Sequence, residues 1–323
     1  MGVRTAIADY INKTHGVSER ADNIYLTAGA AASLTITLNA VLCEGEEVIV
    51  FAPFFPEYRV FVEKAGGVLR SVRCSETDFQ PDISELERAI TDRTKAVIIN
   101  SPNNPTGAVM SISAIEAISA LLKRKSEEYG TDIYIISDEP YRELVYDKDT
   151  VVAYIPKYYK NTVVCYSFSK SLSLPGERIG YILVSEGCKD AKDVYGAVCG
   201  AGRSLGYVCA PALFQYLIPR VLGKTSDIGI YKMNRDILYE ALVSYGYRVV
   251  KPDGAFYLFV KALESDAYAF CERAKRYELL LVPGDDFDCK GYVRISYCVS
   301  TEQIRASLHA FEKLYKEYEV SDI

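Results

Sequence analysis

Short runs of β-branched and aliphatic residues alternate with segments of helical periodicity over most of the chain. EEVIVF, TKAVIIN, DIYIIS and NTVVCYS are such runs, and the amphipathic segment SISAIEAISALLKRKSEEYG separates two of them. Alternation of strands and helices is typical of α/β folds, in which helices cover both faces of a mostly parallel central sheet. We therefore predict an α/β fold with a mostly parallel, helix-flanked sheet for residues 1–225.

The pattern changes after residue 225. A long charged segment of helical periodicity, IGIYKMNRDILYEALVSYG, is followed by the apolar runs of GAFYLFV, LLLVPGDDF and GYVRISYCVS, with a further helical segment among them. Strands and helices without regular alternation favour an α+β arrangement. We predict two domains, a large one over residues 1–225 and a smaller C-terminal α+β domain over residues 226–323.

Charge, cysteine and histidine content exclude several classes of function. The 323 residues carry a net charge of −6 with both signs mixed along the chain, which disfavours a nucleic acid partner. The nine cysteines include no C-x-x-C pair and only His15 and His309 are present, so a disulfide framework, a metal site and a Ser-His-Asp triad are not expected. Neither a membrane-spanning apolar run nor a signal-peptide core is found. We predict a cytoplasmic protein with no nucleic acid, membrane or metal partner.

Unusual side chains follow the ends of four predicted strands. Phe55 follows the first strand quoted above, Asn104 the second, Asp138 the third and Lys170 the fourth. Ligands of parallel sheets bind outside the carboxyl ends of the strands, where these side chains would meet. We therefore predict a single binding site at this edge of the sheet.

Lys170 lies in a serine-rich stretch, SFSKSLSLPGERIGY, directly after an apolar strand. A desolvated lysine has a lowered pKa and is a nucleophile towards an aldehyde. Hydroxyl groups and a guanidinium beside it would hold a phosphate dianion. Pyridoxal 5'-phosphate is an aldehyde that carries a phosphate, and it fits Lys170 with Ser167, Ser169 and Arg178 as a set. The alternative is a solvated lysine in a serine-rich turn.

Three polar residues could complete the site for such a cofactor. Asp138 could face the protonated pyridine nitrogen and keep the ring an electron sink, although an aspartate that caps a helix is common. Tyr141 and Asn104 could donate hydrogen bonds to the phenolic oxygen of the ring. Their alternatives are a core tyrosine and a turn asparagine.

Two further features have a structural and a functional interpretation. Phe55 could stack on the cofactor ring or be an ordinary core phenylalanine. Gly29 and Ala30 open a small-residue helix whose first backbone N–H groups could bind the phosphate. Tight helix packing would explain the same small residues.

Five motifs in a fixed order carry a resemblance to a known family. They are SPNNPTG, SDEPY, SFSKSLSLPGERIGY, GAFYLFV and VRISYC, and the likeness runs from residue 1 to about residue 315. With these motifs the chain closely resembles the class I/II aminotransferases of pyridoxal phosphate fold type I, the aspartate aminotransferase-like superfamily. The resemblance implies a pyridoxal phosphate-dependent aminotransferase that moves an amino group from an L-amino acid to a 2-oxo acid by a ping-pong mechanism. It also implies a homodimer.

The resemblance implies roles for individual residues. Lys170 is similar to the lysine that bonds to the cofactor aldehyde and later moves a proton between the substrate α-carbon and the cofactor. Asp138 is similar to the partner of the pyridine nitrogen, and Tyr141 and Asn104 to the contacts of the phenolic oxygen. Phe55 resembles the stacking residue. The implied phosphate-binding residues are Ala28, Gly29, Ala30, Ser167, Ser169 and Arg178.

Two arginines bear on the substrate. Arg294, in VRISYC, resembles the arginine that binds the substrate α-carboxylate, a role suited to a planar guanidinium, and Asn104 is implied as a second substrate contact. The alternative for Arg294 is a strand arginine that pairs with a glutamate. Arg203 lies near the place where some members carry an arginine for a distal substrate carboxylate, and a structural salt bridge is an equally open interpretation.

The chain departs from the family at its N-terminus, where members usually carry a longer segment. We expect a full set of cofactor contacts, with weaker dimer contacts and weaker closure over the substrate. A C–S lyase or a racemase on the same scaffold is an alternative, because fold does not fix reaction. A truncated chain that binds the cofactor without turnover is another.

Overall fold

Seven strands form one central sheet in the computed structural model, which describes residues 2–321. In chain order these strands are β1 Ile24–Thr27, β2 Glu47–Ala52, β3 Val68–Arg73, β4 Thr94–Asn100, β5 Tyr134–Asp138, β6 Thr162–Ser167 and β7 Gly180–Val184. Across the sheet the order is β1-β7-β6-β5-β4-β2-β3. Strand β7 runs antiparallel to β1 and β6, and the other neighbouring pairs are parallel. The predicted mostly parallel sheet is confirmed.

Helices cover both faces of this sheet. The helices are α1 Val3–His15, α2 Ala30–Val41, α3 Glu57–Lys64, α4 Ile83–Ala89, α5 Ile112–Tyr129, α6 Phe168–Ser171, α7 Ala191–Ser204, α8 Ala212–Val221, α9 Ile228–Tyr245, α10 Ala267–Lys275 and α11 Thr301–Ser321. Successive side chains of a strand point to opposite faces. In β2, Val48 and Val50 pack in the core that includes α2 and α7, whereas Ile49 and Phe51 pack in the core that includes α4 and α5.

Helix α5 shows how the local sequence defines these elements. Its N-cap Ser111 accepts a hydrogen bond from the backbone N–H of Ala114, and its C-cap Gly130 adopts the left-handed conformation that ends a helix. Ile115, Ile118 and Leu122 recur at helical spacing and are all buried. The apolar face predicted from the sequence is thus the face that packs on the sheet.

A second, smaller sheet follows in the C-terminal part of the chain. Its strands are β8 Tyr257–Lys261, β9 Val282–Pro283 and β10 Tyr292–Ser296, in the antiparallel order β8-β10-β9. Helices α9, α10 and α11 contribute to a core together with β8 and β10. This arrangement agrees with the predicted smaller α+β region.

The smaller sheet is fixed to the loop that follows β4. The carbonyl oxygen of Gly107 accepts backbone hydrogen bonds from Asp253 and Gly254, at 3.0 and 2.9 Å. Gly107 has a φ of +70°, and a Cβ there would lie 2.7 Å from the carbonyl oxygen of Gly254, so the close approach requires a glycine. The contact sets β10 opposite the carboxyl ends of the large sheet. Among residues 2–321, no helix combines the length and the apolar character that a membrane span requires.

Candidate active site

A cavity of about 340 Å³ lies at the carboxyl ends of the parallel strands, beneath the smaller sheet. The residues that line it are Ala30, Ala31, Leu34, Phe55, Asn100, Asn104, Asp138, Pro140, Tyr141, Ser167, Ser169, Lys170, Pro175, Arg178, Tyr257 and Arg294. Ten of the twelve predicted site residues are in this lining. The other two, Ala28 and Gly29, lie at its edge, where they contact Arg178.

Lys170 reaches the cavity from the short helix α6, which begins where β6 ends. Its ammonium nitrogen lies 5.4 Å from the centre of the Phe256 ring. Burial lowers the pKa of Lys170, and the positive charges of Arg178 and Arg294 lower it further. A larger share of this amine is therefore neutral and nucleophilic than for a solvated lysine.

Hydroxyl, guanidinium and backbone N–H groups converge beside Lys170. The Ser167 hydroxyl donates to the Ser169 hydroxyl at 2.8 Å, and Nη1 of Arg178 donates to Ser169 at 3.3 Å. Nη2 of Arg178 donates to the carbonyl of Ala28 at 3.1 Å. Helix α2 begins just after Gly29 without a side-chain cap, so its first N–H groups remain available to an anion. This set is chemically suited to a phosphate dianion.

Gly29 is required at this turn for two reasons. Its φ is +90°, which side chains with a Cβ rarely adopt. A Cβ at this position would also lie 2.6 Å from Nη2 of Arg178. The glycine therefore allows the guanidinium to approach the start of α2 closely.

Asp138 ends strand β5 and is 4% exposed. The Tyr58 hydroxyl donates to its Oδ2 at 2.5 Å, but Oδ1 has no hydrogen-bond partner anywhere in residues 2–321. Burial raises the pKa of Asp138 to about 7; the Tyr58 hydrogen bond opposes this shift and the charge of Glu139 adds to it. A buried carboxylate in this position needs a cationic hydrogen-bond donor at Oδ1.

Arg294 and Asn104 meet on the opposite wall. Nη1 of Arg294 donates to Oδ1 of Asn104 at 2.9 Å. Nε of Arg294 is buried and finds no acceptor within the described chain, so part of the guanidinium remains available to a carboxylate. The backbone N–H of Asn104 donates to Oδ1 of Asn100 at 2.8 Å, which fixes the loop after β4.

The aromatic residues complete the cavity. The Tyr141 hydroxyl lies 3.1 Å from the Tyr257 hydroxyl. Phe55 is half-buried and meets the Tyr58 ring edge-on, with ring centres 5.6 Å apart. One face of Phe55 is thus open to the cavity that it lines. Arg203 is exposed on α7 and is not part of the cavity lining.

Sequence reasoning missed three polar residues in or next to this site: Asn100 and Tyr257 line the cavity, and Tyr58 donates to Asp138. Asn100 is the last residue of β4, so the strand-end argument could have included it. Tyr257 lies inside the motif GAFYLFV and faces the cavity because it shares a sheet face with Arg294. Tyr58 comes one turn after Phe55, and its contact with Asp138 joins residues 80 positions apart, for which the sequence carries no local signal.

Comparison with known proteins covers nearly the whole chain. Residues 2–311 match the family model described as aminotransferase class I and II. The aspartate aminotransferase of Thermotoga maritima is 34% identical over 315 residues, which are 96% of this chain and 80% of that protein. Aromatic-amino-acid aminotransferase 2 of Thermococcus litoralis is 31% identical over 98% of this chain and 82% of its own.

Solved structures superpose on both sheets. An amino transferase from Eubacterium rectale matches with a TM-score of 0.96 and 56% identity, over 98% of this chain and 79% of that chain. The Thermus thermophilus aspartate aminotransferase with maleate matches with a TM-score of 0.86 and 30% identity, over 97% and 81%. The predicted fold and the family resemblance are confirmed by these matches.

Proposed function

This chain belongs to the class I and II aminotransferases and is a transaminase, and we propose that the cavity at the carboxyl ends of its strands is where the amino group is transferred. Members of this family use pyridoxal phosphate. The observation that carries the proposal is the presence, in one cavity, of an amine with a lowered pKa and a buried carboxyl oxygen without a partner. Lys170 and Asp138 supply the two groups that the aldehyde and the ring nitrogen of this cofactor require.

The residues present fit pyridoxal phosphate at each of its ends. Oδ1 of Asp138 would accept the hydrogen bond of the protonated ring nitrogen and hold the charge there. Ser167, Ser169, Arg178 and the start of α2 would hold the phosphate, while Phe55 would cover one face of the ring. When bound, the cofactor supplies an aldehyde that bonds to amines and a ring that takes up an electron pair.

Lys170 then acts on protons. Its amine, kept partly neutral by burial, would take the proton from the α-carbon of the amino acid and return it on the cofactor side. Tyr141 and Asn104, which line the same cavity, would donate hydrogen bonds to the phenolic oxygen of the cofactor and so tune the basicity of the neighbouring nitrogen. Reversal of these steps with a 2-oxo acid completes a ping-pong cycle.

Arg294 orients the substrate. Its guanidinium is held by Asn104 and has a buried Nε without a partner, so it can bind an α-carboxylate in two-point fashion. This places the α-carbon towards Lys170, which lines the same cavity. Because the relatives include aspartate and aromatic-amino-acid aminotransferases, aspartate and phenylalanine are the donors to test beside glutamate.

We also propose a homodimer of two-domain subunits that works in the cytoplasm. Val208, Leu213 and Tyr216 are 65%, 65% and 79% exposed and are close in sequence around the start of α8, and such an apolar surface suits a second copy of the chain. The seven-stranded sheet lies within residues 1–225 and the three-stranded sheet within residues 226–323, which supports those domain limits. The nine cysteines are free thiols, as a reducing compartment would keep them.

The half-reaction tests this proposal. The protein loaded with pyridoxal phosphate is mixed with aspartate, phenylalanine or glutamate, and the visible absorbance of the bound cofactor is followed. We expect that absorbance to be lost as a 2-oxo acid appears, and to return when a second 2-oxo acid is added. Release of pyruvate with a thiol from a sulfur amino acid would identify a lyase, and formation of the D-enantiomer a racemase. A monomer that takes up no cofactor would identify an inert chain, and each of these results would overturn the proposal.

A further inference from the structure

Tyr257 touches two parts of the cavity that have different tasks. It is 8% exposed, and its hydroxyl lies 3.1 Å from the hydroxyl of Tyr141, with ring centres 6.0 Å apart in an edge-on arrangement. Its ring also lies under Arg294, whose guanidinium carbon is 4.6 Å from the ring centre. Tyr257 thus contacts both Tyr141, the proposed donor to the phenolic oxygen of the cofactor, and Arg294, the proposed carboxylate-binding residue.

The position of Tyr257 follows from the register of the smaller sheet. Arg294 in β10 pairs with Phe259 in β8, and Tyr257 is two residues before Phe259, so all three share one sheet face. Phe287 covers the other side of the guanidinium, at 4.9 Å from its ring centre. With Asn104 at Nη1, Arg294 is therefore held between two rings and one amide.

We propose that Tyr257 is a positioning residue that couples the carboxylate-binding Arg294 to the hydroxyl of Tyr141. In the proposed site the Tyr141 hydroxyl donates its hydrogen bond to the phenolic oxygen of the cofactor. Towards Tyr257 it can therefore only accept a hydrogen bond. Donation by Tyr257 strengthens donation by Tyr141, since neighbouring hydrogen bonds polarise each other. A carboxylate that shifts Arg294 also shifts the ring on which Arg294 rests, and so changes the hydrogen bond at Tyr141.

This inference rests on the proposed function, because it concerns the cofactor bound in the same cavity. The other titratable or charged groups that interact with the two hydroxyls are Tyr58, Asp138, Arg294 and Cys298. None of them is altered when the hydroxyl of Tyr257 alone is removed. Tyr257→Phe keeps the ring beneath Arg294 and deletes only the hydrogen bond to Tyr141, so it separates the two contacts.

The test is a pH titration of the visible absorbance of the loaded enzyme. For Tyr257→Phe we expect the midpoint of this titration to rise by roughly half a pH unit. Loss of the neutral hydrogen bond from Tyr257 weakens the hydrogen bond that Tyr141 donates to the phenolic oxygen of the cofactor. The affinity for 2-methylalanine, an amino acid with no α-proton to lose, should change by no more than about threefold, which is the factor that half a pH unit corresponds to, because the ring beneath Arg294 is kept. Tyr257→Leu removes the ring as well, and should weaken that affinity by roughly tenfold.

Tyr292→Phe is the matched control. Tyr292 is a buried tyrosine on the same sheet face, its ring stacks on Phe259, and its hydroxyl bonds to Glu76 outside the cavity. This variant should leave the titration midpoint in place. An unchanged midpoint in Tyr257→Phe, or an equal shift in Tyr292→Phe, would overturn the coupling while the wild-type absorbance still supports the proposed function. Absence of any cofactor absorbance in the wild type would instead overturn the proposed function.

Discussion

Asp138 and Glu139 are adjacent residues at the end of β5, but they face two regions that differ in how fully the buried carboxyl group is paired. Both are buried, at 4% and 3% exposure. Asp138 faces the cavity with one oxygen unpaired. Glu139 accepts a hydrogen bond from Ser137 at 2.7 Å and an ion-paired one from Arg142 at 2.8 Å. The Asp138 carboxyl group therefore has room for a hydrogen-bond donor from a ligand, whereas the partners of the Glu139 carboxyl group all come from the protein.

The second region is an ion cluster formed by Glu139, Arg142 and Glu143. Arg142 is 8% exposed, pairs with both glutamates, and lies 4.5 Å from the centre of the Tyr166 ring. The Tyr166 hydroxyl donates to Glu143 at 2.9 Å and lies 3.1 Å from the hydroxyl of Ser171, the residue after Lys170. The ion cluster is therefore linked through Tyr166 to helix α6, which carries Lys170. For these two adjacent carboxyl groups, the one with an unpaired oxygen lines the cavity, whereas the fully paired one stabilises the fold.

Loss of Lys170 should have the largest effect on function and little effect on the fold. For Lys170→Ala we expect transamination to fall by more than roughly a thousandfold, because the variant lacks the amine that we propose as both the cofactor attachment and the proton carrier. The unfolding temperature of the cofactor-free protein should change little, since this half-buried amine has no ion pair to lose among residues 2–321. Enzyme assay, borohydride reduction of the bound cofactor and thermal unfolding measure these outcomes.

Lys123→Ala is the control for Lys170→Ala, because Lys123 is exposed on α5, away from the cavity. It should retain both activity and the reducible absorbance. A Lys170→Ala protein whose cofactor absorbance can still be trapped by borohydride would show that another amine forms the bond.

Loss of Arg142 should lower the stability of the fold, in contrast to the loss of Lys170. Arg142→Ala removes the cation from the ion cluster and leaves Glu139 buried and uncompensated. We expect the free energy of unfolding to fall by about 3–5 kcal/mol at neutral pH. Denaturant unfolding of the cofactor-free protein measures it.

Arg124→Ala provides the matched control for the ion cluster. Arg124 pairs with Glu87 at 2.8 Å, but both side chains are about half exposed. That variant should lose less than about 1 kcal/mol. If Arg142→Ala were equally mild, the ion cluster would not be the structural region that its geometry indicates.

The sequence predicted much of the fold because strand and helix signals here are local. The runs EEVIVF and TKAVIIN became β2 and β4, and the apolar face of α5 packs on the sheet. Eight of the ten predicted site residues in the cavity lining lie at or just after strand ends, which the topology of the large sheet brings together. Arg178 comes before β7 and Arg294 lies within β10, and these two were identified from the family resemblance and the serine-rich motif. The antiparallel direction of β7 was not predicted, since strand direction depends on connections and not on composition.

The missed residues are those whose positions depend on tertiary packing. Tyr58 reaches Asp138 from α3, and Tyr257 reaches Tyr141 from the smaller sheet. The ion cluster was missed for a similar reason: Glu139 and Arg142 lie within the same short loop, but their burial depends on Tyr166 and Tyr181 around them. Burial of charge is set by the assembled fold and cannot be read from the local pattern.

Neutralising Asp138 should stabilise the cofactor-free protein. Its pKa is about 7 when folded and about 4 when unfolded. Between these pH values only the folded state holds the proton, so the free energy of unfolding decreases as pH rises from 4 to 7 and is lowest above 7. Asp138→Asn removes this dependence, and above pH 7 it should be more stable by up to about 4 kcal/mol. Denaturant unfolding at several pH values measures the effect.

Glu139→Gln sharpens the comparison because it makes the same chemical change at the adjacent residue. Burial raises the pKa of Glu139, but the guanidinium of Arg142 opposes that shift. Glu139→Gln removes the negative charge that pairs with Arg142, so this variant should be less stable than the wild type at pH 8. The opposite signs of the two substitutions are the result expected. Destabilisation of the cofactor-free protein by both would mean that Asp138 is as well paired as Glu139.

Arg294→Lys should have the smallest effect, and one confined to the substrate. A lysine keeps the positive charge but replaces the planar guanidinium with a point charge, and it loses the contact between two rings that now holds Arg294. We expect amino-acid binding to weaken by about 1–3 kcal/mol. The affinity for pyridoxal phosphate should remain that of the wild type, because the phosphate groups and Asp138 are untouched. Titration of the cofactor absorbance with amino acid, and of the cofactor-free protein with pyridoxal phosphate, separates the two affinities. If the affinities for the amino acid and for pyridoxal phosphate fell equally, Arg294 would be a cofactor-binding residue. The proposed separation between residues that bind the cofactor and the residue that binds the substrate carboxylate would then be wrong.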